Sequence, residues 1–350
     1  MIVTQRITIA LDGMGGDDAP LIVVEGIGIA RERLPHVDYL LFGDEAELVP
    51  LLDRRPAVRD ACQVRHTPDR VKGEDKPSTV LRQGRQSSMW LAVDAVAKGE
   101  ALGVVSAGNT GALMAVSKFV LKMLPGLSRP AICAFFPSMR GETIVLDLGA
   151  NVDCDSGNLV EFAIMGEMFA RVVLNIEKPT VGILNIGSEE LKGNDAVRHA
   201  ASILRESGGG IDFRGFVEGD DIAEGTVDVV VTDGFSGNIA LKTAEGLVKL
   251  YSSFLHGAFT SSWVARAGYL LARPALRKVR LRTDPRRYNG AVFLGLSGIA
   301  VKSHGGTDPV GFANAIGVAA DLISNDLNGR IKAEFERLRL DSGLPAFCKD

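Results

Sequence analysis

Six segments of this 350-residue chain end an apolar run in a short loop of Gly, Asn, Ser, Asp or Lys. The clearest is VVVTDGFSGNIALK at 229–242, where helix-forming residues follow the loop at once. Its companions are DGMGGD (12–17), SAGNTGA (106–112), DLGANVDC (147–154), NIGSEELKGN (185–194) and GLSGIAVKSHGG (295–306). Strands alternating with helices predict a mostly parallel sheet covered by helices on both faces. In such sheets the ligand crevice lies beyond the carboxyl ends of the strands. A helix start with free backbone N–H groups attracts phosphate or carboxylate there. Six loops gathered on one edge would line one shared cleft.

Strands are expected at 7–11, 39–42, 102–105, 131–136, 143–148, 181–186, 213–217, 227–231 and 290–296. Helices are expected at 20–33, 78–98, 112–123, 159–174, 195–206 and 310–325, with a charged helix closing the chain. The pair within 131–148 could bring an antiparallel element. SGGG at 207–210 is a breaker. The pattern changes from 245 to 285. Leu247, Tyr251, Phe254, Leu255 and Phe259 recur at helical spacing, and Trp263, Ala267, Leu270 and Leu271 form a second amphipathic set ending at Pro274. The organisation expected is one α/β catalytic domain over 1–350, of one or two lobes, with a protruding helical tip at 245–285.

At 46% hydrophobic and 23% charged, the chain has ample core material. A net charge of -4 gives no global case for nucleic-acid binding. Residues 266–287 depart from that balance, with eight basic side chains and one acidic, Asp284. Cys62, Cys133, Cys154 and Cys348 form no C-x-x-C pair and read as free thiols of a reducing cytosol. The N-terminus lacks a signal-peptide pattern, and no apolar run approaches the roughly 20 residues of a membrane span. A cytoplasmic location is expected.

Gly13, Gly15 and Gly16 have the wrong spacing for a dinucleotide loop, and G-x-x-x-x-G-K-[ST], H-E-x-x-H and G-x-S-x-G are absent. No metal, no cofactor and no protein nucleophile is implied. What the loops supply is Asn, Ser and Thr donors, backbone amides, Lys192 and Lys302, and His304 within a Gly-rich loop. That set suits a phosphate substrate and an oxyanion developing in a transition state. His304 either takes part or simply bonds the backbone.

ALDGMGGDDAP, SAGNTGALMA, LDLGANVDC, NIGSEELKGN, DGFSGN before Leu241-Lys242, and GLSGIAVKSHG occur in this order over nearly the whole chain. In these motifs the chain resembles the bacterial phosphate acyltransferases of phospholipid synthesis, acyl-[acyl carrier protein]:phosphate acyltransferases. The resemblance implies transfer of a long-chain fatty acyl group from acyl carrier protein to inorganic phosphate, giving acyl phosphate. It also implies a homodimer and a three-layer Rossmann-like fold of the isocitrate/isopropylmalate dehydrogenase type, shared with phosphotransacetylases. A membrane glycerol-phosphate acyltransferase would take the product, with peripheral association at the inner membrane face.

On that basis Lys192 would neutralise phosphate and the oxyanion. Asn238 would donate to phosphate or the carbonyl oxygen, and His304 would protonate the leaving thiolate or position phosphate. Asp12, Gly108, Asn109, Thr110, Asn194, Ser236, Gly237 and Lys302 would line the substrate site. Trp263, Arg266, Leu270, Leu271 and Arg273 would meet an anionic membrane surface or the carrier protein, or form a dimer edge. Rival readings are a phosphotransacetylase using acyl-CoA, a nicotinamide-dependent dehydrogenase of the same fold, and a non-catalytic anion-binding protein.

Overall fold

A computed structural model of the chain describes residues 6–206, 210–282 and 284–342. Residues 207–209 of the breaker at 207–210 lie outside them, as does Cys348. Among the described residues, eleven strands build one sheet. In chain order they are β1 (Ile7–Asp12), β2 (Val37–Gly43), β3 (Cys62–His66), β4 (Gly103–Ser106), β5 (Ala131–Ser138) and β6 (Gly141–Leu146). They continue as β7 (Thr180–Leu184), β8 (Asp212–Val217), β9 (Val229–Val231), β10 (Ala291–Leu294) and β11 (Ile299–Lys302). Their spatial order is β3-β2-β1-β4-β11-β10-β5-β6-β9-β7-β8.

The side-chain alternation of a strand divides the core into two layers. In β1, Ile7, Ile9 and Leu11 join the apolar cluster on one face, and Ala10 joins the cluster on the other. Helices Leu21–Arg33, Ser156–Val173, Asp195–Glu206 and Pro309–Ser324 cover the first face. Helices Pro77–Gln83, Ser88–Ala97 and Thr110–Leu121 cover the second. The result is the three-layer α/β architecture expected.

Strand direction reverses in the middle of the sheet. β3, β2, β1, β4 and β11 run parallel to one another. β10 is antiparallel to β11 and to β5, and β5 is antiparallel to β6. β9, β7 and β8 then follow β6 in parallel. The carboxyl ends of β1, β4 and β11 therefore lie at one end of the sheet, and those of β6, β9 and β7 at the other. The single edge expected for all six loops is not formed, because the antiparallel strands in the middle invert the second half.

Other expectations are corrected locally. The helix expected over 78–98 is two helices, since Gly84 ends the first and the Ser87 side chain caps the second. Strands β3 and β11 were hidden, the first by its alternating polar residues and the second within a Gly-rich stretch. The tip begins earlier than 245, as one helix, Gly234–Thr260, running out from β9. Pro274 does not end the second helix, which spans Trp263–Arg282. The two helices pack on each other through Phe259 and Tyr269, whose ring centroids are 5.4 Å apart. The second helix buries no residue. No helix among the described residues is long and apolar enough to cross a membrane.

Helix Ser156–Val173 is buried on nearly every side, and its two glutamates are buried with it. Glu161 accepts from Ser128 N and Oγ at 3.0 and 2.8 Å. Glu167 pairs with Arg171 at 2.5 Å. Burial, opposed by Arg171, pushes the Glu167 carboxyl up to about 7 from 4.5. The folded state then holds this proton over a pH range in which the unfolded state has lost it. Stability from this group is full below about 4.5 and declines as pH rises through about 7. Glu167→Gln should flatten that part of the pH–stability curve, as read by urea melts between pH 4.5 and 8; an unchanged slope contradicts the assignment.

Candidate active site

The loops sort into two groups. At one end of the sheet, Asp17 N donates to Gly305 O at 3.0 Å and Ser303 N to Ser106 O at 2.9 Å, joining loops 12–17, 106–112 and 302–306. At the other, Asp147 N donates to Thr232 O at 3.0 Å and Gly234 N to Asn151 O at 2.7 Å, joining loops 147–154 and 232–238. Loop 185–194 follows β7, the strand beside β9. Strands of three to six residues separate the two ends, a span of roughly 10–20 Å. His304, Thr110 and Asn109 thus open away from Lys192 and Asn238.

The first group is largely committed to its own structure. Asp12 is buried and accepts from Ser88 Oγ at 2.6 Å, Ser106 Oγ at 2.7 Å and Met14 N at 3.3 Å. Lys302 is buried and donates to Ala107 O at 3.3 Å and to Ser303 O. Burial raises the Asp12 carboxyl, against its hydrogen bonds and Lys302, and lowers the Lys302 ammonium to about 8, against Asp12 and Asp17. Asp12 and Lys302 are buried and brace the loops around them. The Gly108 amide donates to Ser106 Oγ at 3.0 Å. The Asn109 side chain caps helix Thr110–Leu121 and donates to Gly73 O and Asp75 O at 2.7 and 3.0 Å. These two expected anion donors are occupied. Thr110 and His304 are exposed. His304 Nδ1 accepts from Gly306 N at 3.1 Å, so a neutral ring carries its proton on Nε2.

The second group differs in what it leaves free. Asp233 caps helix Gly234–Thr260, taking Ser236 N at 2.7 Å and Ser236 Oγ at 3.1 Å. Gly237 N donates to Asp233 O at 3.0 Å. The Ser236 hydroxyl and Gly237 amide expected to cradle an anion are therefore engaged. Asn194 is engaged likewise, its Oδ1 accepting from Val197 N at 2.9 Å to cap the next helix. Asn238 is exposed, one turn into the helix, and its side chain makes no hydrogen bond within the described residues. Lys192 is exposed and pairs with no carboxylate among them. Its loop is folded by Asn185, whose Nδ2 donates to Lys192 O at 3.2 Å.

Apolar surface surrounds these two polar ends. Ile186 and Leu191 in the Lys192 loop are 80% and 89% exposed, and Phe235 and Ile239 flank Asn238. A groove of about 340 Å³ is lined by Asn238, Ile239, Lys242 and Thr243. A larger cavity of about 430 Å³ lies by the β5–β6 turn, where Arg140 is held by Gly225 O at 3.1 Å. Chemistry favours the groove, since the uncommitted Asn238 amide and the Lys242 side chain stand at its wall. No group of three or more His, Cys, Asp or Glu among the described residues is placed to hold a metal ion.

Residues 7–330 match the family described as fatty acid synthesis protein. The phosphate acyltransferase of Paramagnetospirillum magneticum is 67% identical over 336 residues, covering 96% of each chain. That of Rhodospirillum centenum is 64% identical over 336 residues, covering 96% of this chain and 95% of its own. The chain belongs to the phosphate acyltransferase family. It is an acyltransferase of fatty acid and phospholipid synthesis. Among solved structures, a phosphotransacetylase from Streptococcus pyogenes aligns with a TM-score of 0.60 at 16% identity, over 96% of both chains. The EutD phosphotransacetylase from Staphylococcus aureus aligns with 0.58 at 18%, over 91% of this chain and 94% of its own. These two likenesses concern the fold.

Sequence reasoning missed Asp147 and Asp233, which organise the second group. Each is an Asp at or just past the end of an apolar strand and ahead of a glycine, a pattern that marks a capping or loop-folding carboxylate. For the first group, Asp12→Ala should destabilise the protein by about 3 kcal/mol, because two buried hydroxyls lose their acceptor and Lys302 loses its countercharge. Chemical denaturation checks this, and a loss below about 0.5 kcal/mol contradicts the bracing role.

Proposed function

We propose that the chain transfers a long-chain acyl group from acyl carrier protein to inorganic phosphate at the Lys192–Asn238 end of the sheet. A phosphate oxygen attacks the thioester carbonyl carbon and forms a tetrahedral oxyanion. Its collapse breaks the C–S bond, releasing acyl phosphate and a thiolate that takes up a proton. Phosphate is itself the nucleophile, so no acylated side chain is needed. Lys192 balances the phosphate charge, and Asn238 Nδ2 donates to phosphate or to the oxyanion. His304 stands at the far end of the same sheet. Protonation of the leaving thiolate therefore falls to solvent.

The observation that carries this reading is the pair of uncommitted polar ends, Lys192 and Asn238, set in exposed apolar surface. Phosphate needs the first, and a long acyl tail needs the second. The apolar surface continues along helix Gly234–Thr260 through Leu247, Leu250 and Phe254. It favours a long acyl group over the two-carbon group of a phosphotransacetylase. The protein incubated with palmitoyl carrier protein and phosphate should form acyl phosphate, trapped as a hydroxamate. Lys192→Ala and Asn238→Ala should each lower turnover on the order of 10²-fold with the fold intact. Wild-type turnover in both variants sinks the assignment, and equal turnover with acyl-CoA supports the phosphotransacetylase reading.

The helical hairpin serves membrane contact in this proposal. Trp263 and Leu271 are 82% and 86% exposed, Leu270 is exposed beside them, and no ion pair within the described residues neutralises Arg266 or Arg273. Apolar side chains interleaved with free cations suit an anionic bilayer surface. The working form is then a homodimer at the inner membrane face, loading from an acidic carrier protein and passing acyl phosphate to a membrane glycerol-phosphate acyltransferase. Wild type should float with anionic liposomes, and a Trp263→Glu, Leu270→Glu double variant should not. Equal flotation of the two contradicts this role and leaves the hairpin to carrier docking or dimer contact.

A further inference from the structure

Asn238 is only as effective as its placement, and that placement traces to a carboxylate that takes no part in the proposed chemistry. Asp147 follows β6 directly and is fully buried. Its Oδ1 accepts from Ile132 N at 3.0 Å, Gly149 N at 3.1 Å and Ala150 N at 2.9 Å. Its Oδ2 accepts from Asn151 N at 2.7 Å and Asn151 Nδ2 at 2.9 Å. All five partners are N–H donors. Burial raises the Asp147 carboxyl, and these hydrogen bonds oppose that rise by favouring the ionised form, since a protonated carboxyl would direct its O–H at a donor. Four of the five bonds fold the short segment 148–151 back over the carboxylate.

That folded segment is the seat of helix Gly234–Thr260. Gly234 N is tied to Asn151 O, and Asp147 N to Thr232 O. At Gly237 the helix meets the Asp147 carbonyl oxygen so closely that no side chain fits. Gly149, held at a φ of +130°, brings its backbone beneath Asn238: a Cβ added there would lie 3.5 Å from Asn238 Nδ2. A side chain at Gly149 would be strained at that φ.

We propose that Asp147 is the positioning residue for Asn238: its buried carboxylate fixes segment 148–151 as the platform against which the Asn238 amide is held. This rests on the assignment of Asn238 to phosphate or the oxyanion. Asp147→Asn keeps the volume and places an NH2 group against the N–H donors of the loop. The acyl-phosphate assay should then show kcat falling on the order of 10²-fold, because an ångström-scale misplacement costs that much. KM for the acyl donor should stay within about twofold, since the donor's apolar contacts are untouched.

The discriminating readout is coupling. In an Asn238→Ala background, Asp147→Asn should cost nothing further, because the amide it positions is gone. Gly149→Ala, which alters the platform without removing the buried carboxylate bonds, should show the same dependence on Asn238. It serves where Asp147→Asn does not fold. Wild-type kcat in a folded Asp147→Asn variant, or an equal loss with and without Asn238, overturns the proposal. A wild-type protein that forms no acyl phosphate overturns the function itself, whereas an active wild type with additive losses overturns only the role of Asp147.

Discussion

Everything about the candidate site follows from one reversal of direction inside a single sheet. β10 runs against both its neighbours, and the β5–β6 hairpin turns the second half of the sheet over. The loop-and-helix pattern recurs in both halves, yet its products emerge at opposite ends. The chain thus has two separate clusters of small polar loops. One became a braced interior, with Ser88 and Ser106 donating to Asp12 and Lys302 donating to the Ala107 and Ser303 carbonyls. The other left an amide and a lysine open to solvent.

The sequence made the alternation of strands and helices legible because period-two and period-3.6 apolar patterns are local. It also exposed the six loops and the departure from pattern at 245–285. Relative strand direction is not local. β10 and β11 are four-residue strands joined by a tight turn, and nothing in GLSGIAVK states which neighbour each will pair with. Donor availability was equally hidden. Asn109, Asn194, Ser236 and Gly237 have the right chemistry for anion binding, but each lies at a helix start, where capping engages the first three and the first intrahelical bond engages Gly237. Asn238 escaped because it lies past the first turn, and Lys192 because its long side chain clears the loop that holds it.

Among the described residues, the helical hairpin is the part of the chain that exposes most apolar surface for its length. A helix whose start lies beside the proposed reaction centre runs 27 residues outward, roughly 40 Å, with large apolar side chains exposed along it. A second helix returns with no buried residue, and Arg266 and Arg273 on it enter no ion pair among the described residues. Such a surface is costly to leave in water unless another phase or molecule covers it. The same element that presents Asn238 carries this exposed apolar surface.

The central claim is that phosphate binds at the Lys192–Asn238 end of the sheet and not at the His304 end. Locating bound thiophosphate in crystals by the anomalous scattering of its sulfur tests this most directly. The anion should lie within hydrogen-bond distance of Asn238 Nδ2, with Lys192 turned toward it. Thiophosphate held between Thr110 and His304, with none at Asn238, would contradict it.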